Sequence, residues 1–184
     1  MDPRGIPHLT NSILKSLECQ FLQNTTSEIN EQSKLHLFRE VTHTPKPARY
    51  LSSLTNRNER SLFSKLRLGT LKLEVETGRH EKPKIDKSKR FCKLCNLNKI
   101  GNECHFLFDC PSLRGTRKPL LENITNSHHH LTHLSSVEKA KYLFFNNHID
   151  NSTLSSASTL LWELFEKRNT LITLDSPTQR QPLL

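Results

Sequence analysis

At 184 residues and a formal net charge of +9, the chain has the length of one domain, or of one domain with loose ends. Only 34% of its residues are hydrophobic, which favours a lean module that packs against a larger neighbour over a self-sufficient enzyme core. No stretch approaches the ~18 consecutive apolar residues of a membrane span, and Met1-Asp2-Pro3-Arg4 opens no signal peptide, so no membrane partner is expected; the cysteines are expected to stay reduced, consistent with metal binding in a nuclear or cytoplasmic location.

In chain order, Leu9, Ile13, Leu14, Leu17 and Phe21 recur at helical spacing, with Thr10 or Asn11 as the cap and Cys19 as a packed thiol. A second helix is predicted from Glu28 to about Val41, ended by the two prolines between Thr42 and Pro47. Asn56 to Leu68 reads as a helix with Leu62, Phe63 and Leu66 on one face and Gly69 as its stop. From Thr70 to Glu76, Leu71, Leu73 and Val75 alternate with polar residues, a strand by pattern, although Gly78 would equally cap a short helix.

Beyond residue 110 the pattern is helical again. Ser112 to about Ile124 is a helix expected to be interrupted near Gly115 and Pro119. Ser135-Ser-Val-Glu138 is a capping-box sequence opening a helix through Phe145, with Val137, Tyr142, Leu143 and Phe145 as core. Leu160, Leu161, Leu164, Phe165, Arg168, Leu171 and Ile172 outline the strongest amphipathic helix, and the tail from Ser176 to Leu184 reads as disordered. The expected organisation is an N-terminal helical segment (1–55), a central module (56–125), a C-terminal helical segment (126–175) and a tail (176–184).

The central module carries the chemistry. Cys92 and Cys95 are separated by two residues, and His105 and Cys110 by four, so a full set of ligands for tetrahedral Zn2+ falls within nineteen residues. The gap of nine residues between the half-sites makes the site knuckle-like, without the short central loop of a retroviral knuckle. Cys104 adjoins His105 and could replace it in a four-cysteine site; the His105 to Cys110 spacing favours histidine. The expected fold is mainly α, a small helical domain built around one such CCHC zinc site, with room for a short β-hairpin at the metal.

Charge gathers around this site. Arg79, Lys82, Lys84, Lys87, Lys89, Arg90, Lys93, Lys99, Arg114, Arg117 and Lys118 face only Glu81, Asp86, Glu103 and Asp109, a local +7, whereas the remaining 144 residues carry +2. Such a collar attracts the phosphates of RNA or DNA irrespective of sequence; the other reading is a solvated loop from Lys82 to Lys89. Phe106 and Phe108 could stack on bases or pack beneath the metal. Arg79 and Glu103 could orient the ligands or pair with each other. The run His128-His129-His130, with His133, has no acidic partner close by in sequence and reads as a solvated loop.

From Leu62 to Arg114 the chain resembles the zinc-binding segment that follows the polymerase domain in reverse transcriptases of non-LTR, LINE-type retrotransposons. The resemblance rests on Leu66-Arg67-Leu68-Gly69, on Leu73, Glu76, Gly78 and Arg79, on Arg90-Phe91-Cys92, on Glu103-Cys104-His105-Phe106 and on Cys110-Pro111 with Arg114 nearby. It covers about a third of the chain and implies Cys92, Cys95, His105 and Cys110 as ligands, template RNA or target DNA as partner, and a parent or related polymerase as neighbour. Polymerisation itself needs metal-bound carboxylates. The five aspartates, Asp2, Asp86, Asp109, Asp150 and Asp175, are never adjacent, and no nuclease-like cluster accompanies them. The expectation is therefore a detached, non-catalytic C-terminal piece of a retroelement polyprotein with no small-molecule substrate, the alternative being a zinc-stapled protein-interaction module.

Overall fold

Caps, stops and one glycine at positive φ set most element boundaries in the computed structural model, which describes residues 5–39 and 48–175. The expected tail, 176–184, and the predicted break at 42–47 lie outside the described residues. Two compact units are formed, Met1–Pro47 and Ala48–Leu184.

In the first unit, α1 (Gly5–Glu31) covers the first expected helix and continues into the start of the second. Thr10 and Asn11 are therefore interior residues, not caps, and Pro7 sits in the first turn, where a missing N–H costs little. Its apolar positions are not buried: Ile13, Leu14, Leu17 and Phe21 are all more than half exposed, and Cys19 is exposed, contrary to the packed thiol expected. The helix predicted from Glu28 breaks at Gln32 into a 3-10 turn (Ser33–Leu35) and α2 (His36–Arg39). Arg39 Nη1 donates to the carbonyl of Asn30 at 2.7 Å, satisfying an acceptor that the end of α1 leaves open.

The second unit opens with α3 (Tyr50–Ser53) and α4 (Arg57–Arg67). Asn56 caps α4 by accepting from the Asn58 N–H at 2.8 Å, and the helix ends as its glycine predicts. Gly69, at φ 60°, donates to Leu66 O and Thr70 to Lys65 O, the paired closure that a left-handed C-terminal residue permits. The strand expected from Thr70 to Glu76 does not form. Leu71 and Leu73 are buried, but they lie in a bend, and the chain then turns into α5 (Glu74–His80). Two alternate leucines can be buried by a bend as well as by a sheet, and no neighbouring strand exists among the described residues to select the sheet.

α6 (Arg114–Ser127) is not interrupted by Gly115 or Pro119. The i−4 carbonyl that the Pro119 ring would crowd belongs to Gly115, and both residues are exposed, so water can reach the unpaired acceptor. α7 (Ser136–Ala140) opens with the predicted capping box, Ser135 N–H donating to Glu138 Oε2 at 2.8 Å and Glu138 N–H to Ser135 Oγ at 3.3 Å. It continues as a π-helical turn (Lys141–Phe145) that buries Leu143, Phe144 and Phe145, while Val137, expected in the core, is 38% exposed.

α8 (Asn151–Asp175) supplies the spine of this unit, burying Leu154, Ala157, Leu160, Leu161 and Leu164 on one stripe against α4 and α6. Beside it, Phe63 stacks on Tyr50 at 5.0 Å between ring centroids and meets Phe144 at 5.4 Å. Arg67 is buried over the Tyr50 and Phe145 rings and donates to Phe144 O at 2.8 Å. Residues on both sides of the boundaries expected at 55/56 and 125/126 thus share one core. Among the described residues the chain is mainly helical, and no helix is long and apolar enough to cross a membrane.

Candidate metal centre

Cys92, Cys95, His105 and Cys110 converge so that one ligand atom from each lies within 4.8 Å of all the others, a group able to hold a metal ion. Two local structures bring the half-sites together. The first is a single antiparallel bridge between Phe91 and Ile100, the remnant of the hairpin allowed for at the metal, in which Cys92 N–H donates to Lys99 O at 2.8 Å and Gly101 N–H to Arg90 O at 2.9 Å. Cys92 leaves that bridge into a tight turn whose Leu94 N–H points at Cys92 Sγ, 3.4 Å away.

The second is a π-helical turn, His105–Asp109, capped by Asn102, whose side chain accepts from His105 N–H at 2.9 Å. In an α-helix, residues five apart face different directions, since a turn takes 3.6 residues. The wider i to i+5 closure, Cys110 N–H to His105 O at 2.8 Å, brings His105 and Cys110 back onto one face. Ser112 then donates to Leu94 O, tying the two half-sites to each other.

Two edges of the group match those of tetrahedral zinc, in a set whose ligand atoms all lie within 4.8 Å of one another. Tetrahedral zinc with Zn–S of about 2.3 Å and Zn–N of about 2.0 Å requires S···S edges of about 3.8 Å and S···N edges of about 3.5 Å. Cys92 Sγ and Cys110 Sγ are 3.9 Å apart, too far for a disulfide, and Cys95 Sγ lies 3.4 Å from His105 Nε2. Cys104 lies outside the group.

Within the group the Cys92 and Cys110 thiols shift each other in opposite directions. The Cys92 thiol is pushed up, first because it donates to Cys110 and second by burial, while Cys110 is held below the ordinary thiol value because it accepts from Cys92. Burial also lowers the His105 imidazole, keeping it neutral and able to ligate over a wider range. A bound cation would neutralise the thiolates that burial otherwise disfavours.

Behind the ligands stands a buried ion pair that sequence reasoning missed. Glu74 Oε1 accepts from Arg168 Nη2 at 2.9 Å, and the two flank a cavity of about 10 Å³ that also touches Cys92, His105 and Cys110. Its signal was an arginine on the apolar stripe of α8. A second support is Arg90, which is buried and donates to Ile85 O at 2.9 and 3.0 Å and to Val75 O at 2.5 Å. Its side chain fits because Gly78 has no Cβ; one built there would come 2.8 Å from Arg90 Cγ.

The basic collar is therefore smaller than its sequence count. Arg90 and Arg117 are buried and belong to the fold, the Arg117 guanidinium being lowered by desolvation. Arg79 pairs with Glu76 at 3.4 Å, not with Glu103, which is buried. Lys118 reaches Glu122 at 3.9 Å on α6, where Arg114 is exposed. Lys82, Lys84, Lys87, Lys89, Lys93 and Lys99 all remain exposed. Phe106 is buried and Phe108 half-buried, so packing accounts for both, whereas Phe91, which was overlooked, is 43% exposed. His128 does have an acidic neighbour: its Nε2 lies 2.6 Å from Thr153 Oγ1 and 3.8 Å from Asp150 Oδ2.

No family model, no curated protein and no solved structure matches this chain.

Proposed function

We propose that the chain is a non-catalytic, zinc-stapled module that binds nucleic acid through its phosphates, of the kind that follows the polymerase domain in LINE-type reverse transcriptases. The observation that carries this reading is the Cys3His group at the end of a segment, 81–99, in which six exposed lysines face only Glu81 and Asp86. Bound Zn2+ would supply folding free energy, not reactivity, because Cys92, Cys95, His105 and Cys110 fill all four positions and leave none for substrate. Thiolate ligands call for a reducing nuclear or cytoplasmic setting. RNA or DNA is the partner, with a parent or related polymerase domain as neighbour.

The test is the salt dependence of binding. Replacing Lys82, Lys84, Lys87 and Lys89 by serine should weaken binding to all sequences alike and lower the slope of log affinity against log salt by about 0.7 per lost contact on single strands and about 0.9 on duplex. Zinc content should not change. Parent affinity and slope in that variant would remove the phosphate contacts from the account. A protein-interaction role is the second reading, favoured by the exposed Ile13, Leu14, Leu17 and Phe21 on α1.

A further inference from the structure

Next to the metal group an open groove of about 850 Å³ runs between the Phe91–Ile100 bridge and the start of α7. Its apolar lining comes from Phe91, Leu97, Ile100 and Val137, of which Phe91 is 43%, Leu97 56% and Val137 38% exposed. A chain with so few apolar residues leaves three large ones open to water on one face of one groove. None of the three is itself a member of the metal group.

Between the apolar residues the groove offers amides and charge. Asn98 and Asn102 line it, each able to donate and accept, and Asn102 already uses its oxygen to cap the π turn, which leaves its NH2 for another partner. Lys99 lines it as well, and so does Asp109, whose carboxylate accepts from Ser136 Oγ at 2.6 Å; Ser88 lines it too, and the exposed Lys87 and Lys89 flank Ser88 in sequence. A flat aromatic face, amides matched to base edges and lysines matched to phosphates are the three chemistries of a single nucleic-acid strand with its bases unstacked. A duplex offers the phosphates but keeps its base faces stacked inside.

We propose that this groove seats unpaired bases of a single strand, with one base stacked on Phe91 against Leu97 and the neighbouring phosphates on Lys87, Lys89 and Lys99. The inference rests on the nucleic-acid reading above and adds to it that the module selects single strands over duplex. Phosphate contacts on the lysines give affinity for any strand; the Phe91 contact gives the preference for accessible bases.

The experiment uses the full zinc-loaded chain and four fluorescent twelve-nucleotide probes: oligo(U), oligo(dT), the matching dA·dT duplex, and a strand of abasic sites with the same phosphates. The parent should bind the two base-bearing single strands more tightly than the duplex and the abasic strand. The two single strands tell RNA from DNA as the source of those bases. Phe91→Ala should lower single-strand affinity about five- to 150-fold, the range of one stacked base, and leave duplex and abasic binding and the salt slope unchanged. Leu97→Ser, an exposed loop position, is the second variant in case Phe91→Ala loses zinc, and it should act in the same direction.

Unchanged single-strand affinity in the variants, with weaker binding still seen in the lysine variant, would overturn the groove and leave the nucleic-acid reading standing. Absence of parent binding to every probe at low salt would overturn both. Equal losses on abasic and base-bearing strands would show that Phe91 acts through the fold, and loss of a parent dimer with no change in affinity would show that the groove takes a second copy; either result overturns the proposal.

Discussion

Glu74 and Arg168 are 94 residues apart in sequence, yet their side chains meet at 2.9 Å with less than a tenth of either exposed. The pair fastens the third quarter of α8 to the first turn of α5, immediately behind the metal group. Glu74 Oε1 is also 3.4 Å from the Lys93 N–H in the Cys92–Cys95 turn, so one carboxylate bridges the spine and the knuckle.

Breaking such a pair from one side leaves a buried charge alone, which costs about 3–5 kcal/mol. Arg168→Met and Glu74→Gln should each lower stability by that order. The double variant should recover much of the loss, because it removes both desolvated charges. Denaturant unfolding of the zinc-loaded proteins checks this; additive losses in the double variant would mean the two groups act independently.

Gly78 is required for close approach, not for a special φ. A Cβ there would come 2.8 and 2.9 Å from Cγ and Cδ of Arg90, so Gly78→Ala should push the guanidinium off the Ile85 and Val75 carbonyls. The cost is expected to be about 1–3 kcal/mol, as for other overpacked sites. Arg90→Ala should also destabilise while relieving the clash, so that adding Gly78→Ala to it costs little more. A full extra penalty in the double variant, measured by urea unfolding, would contradict the packing argument.

Asp150 caps α8 by accepting from the Thr153 hydroxyl at 2.6 Å and the Thr153 N–H at 2.9 Å, and these bonds hold its carboxyl below the ordinary carboxylate value. The sign follows from linkage: a depressed value adds stability that is complete above the unfolded pKa of about 3.9 and is lost as pH falls through the lower folded one. Thr153→Val removes the hydroxyl and should raise Asp150 toward the ordinary value. Carboxyl-carbon NMR from pH 7 downward should show Asp150 titrating earlier in the variant than in the parent; coincident curves would show that the hydroxyl contributes nothing.

How much of this the sequence disclosed depended on the range of the interaction. Capping and stop signals act within four residues, so the Asn56 cap, the Gly69 stop and the Ser135–Glu138 box are legible one position at a time. The ligand spacing is legible for the same reason, and it named the four residues that the fold brings together. Periodicity misled where the partner surface decides: Leu71 and Leu73 are buried in a bend, and the apolar face of α1 lies exposed. The collar was overcounted because Arg90 and Arg117 carry the same formal charge buried or exposed, and only tertiary contacts tell the cases apart. The π turn that aligns His105 with Cys110 has no local sequence code at all.

The central claim is that Cys92, Cys95, His105 and Cys110 hold one zinc, and metal analysis joined to X-ray absorption tests it most directly. Protein purified under reducing conditions should contain about one zinc per chain, with three sulfurs at about 2.3 Å and one nitrogen at about 2.0 Å. Cys95→Ser and His105→Ala should lose most of the metal, and Cys104→Ala should keep it. A four-sulfur shell, loss of zinc in Cys104→Ala with retention in His105→Ala, or full zinc in Cys95→Ser would contradict the account.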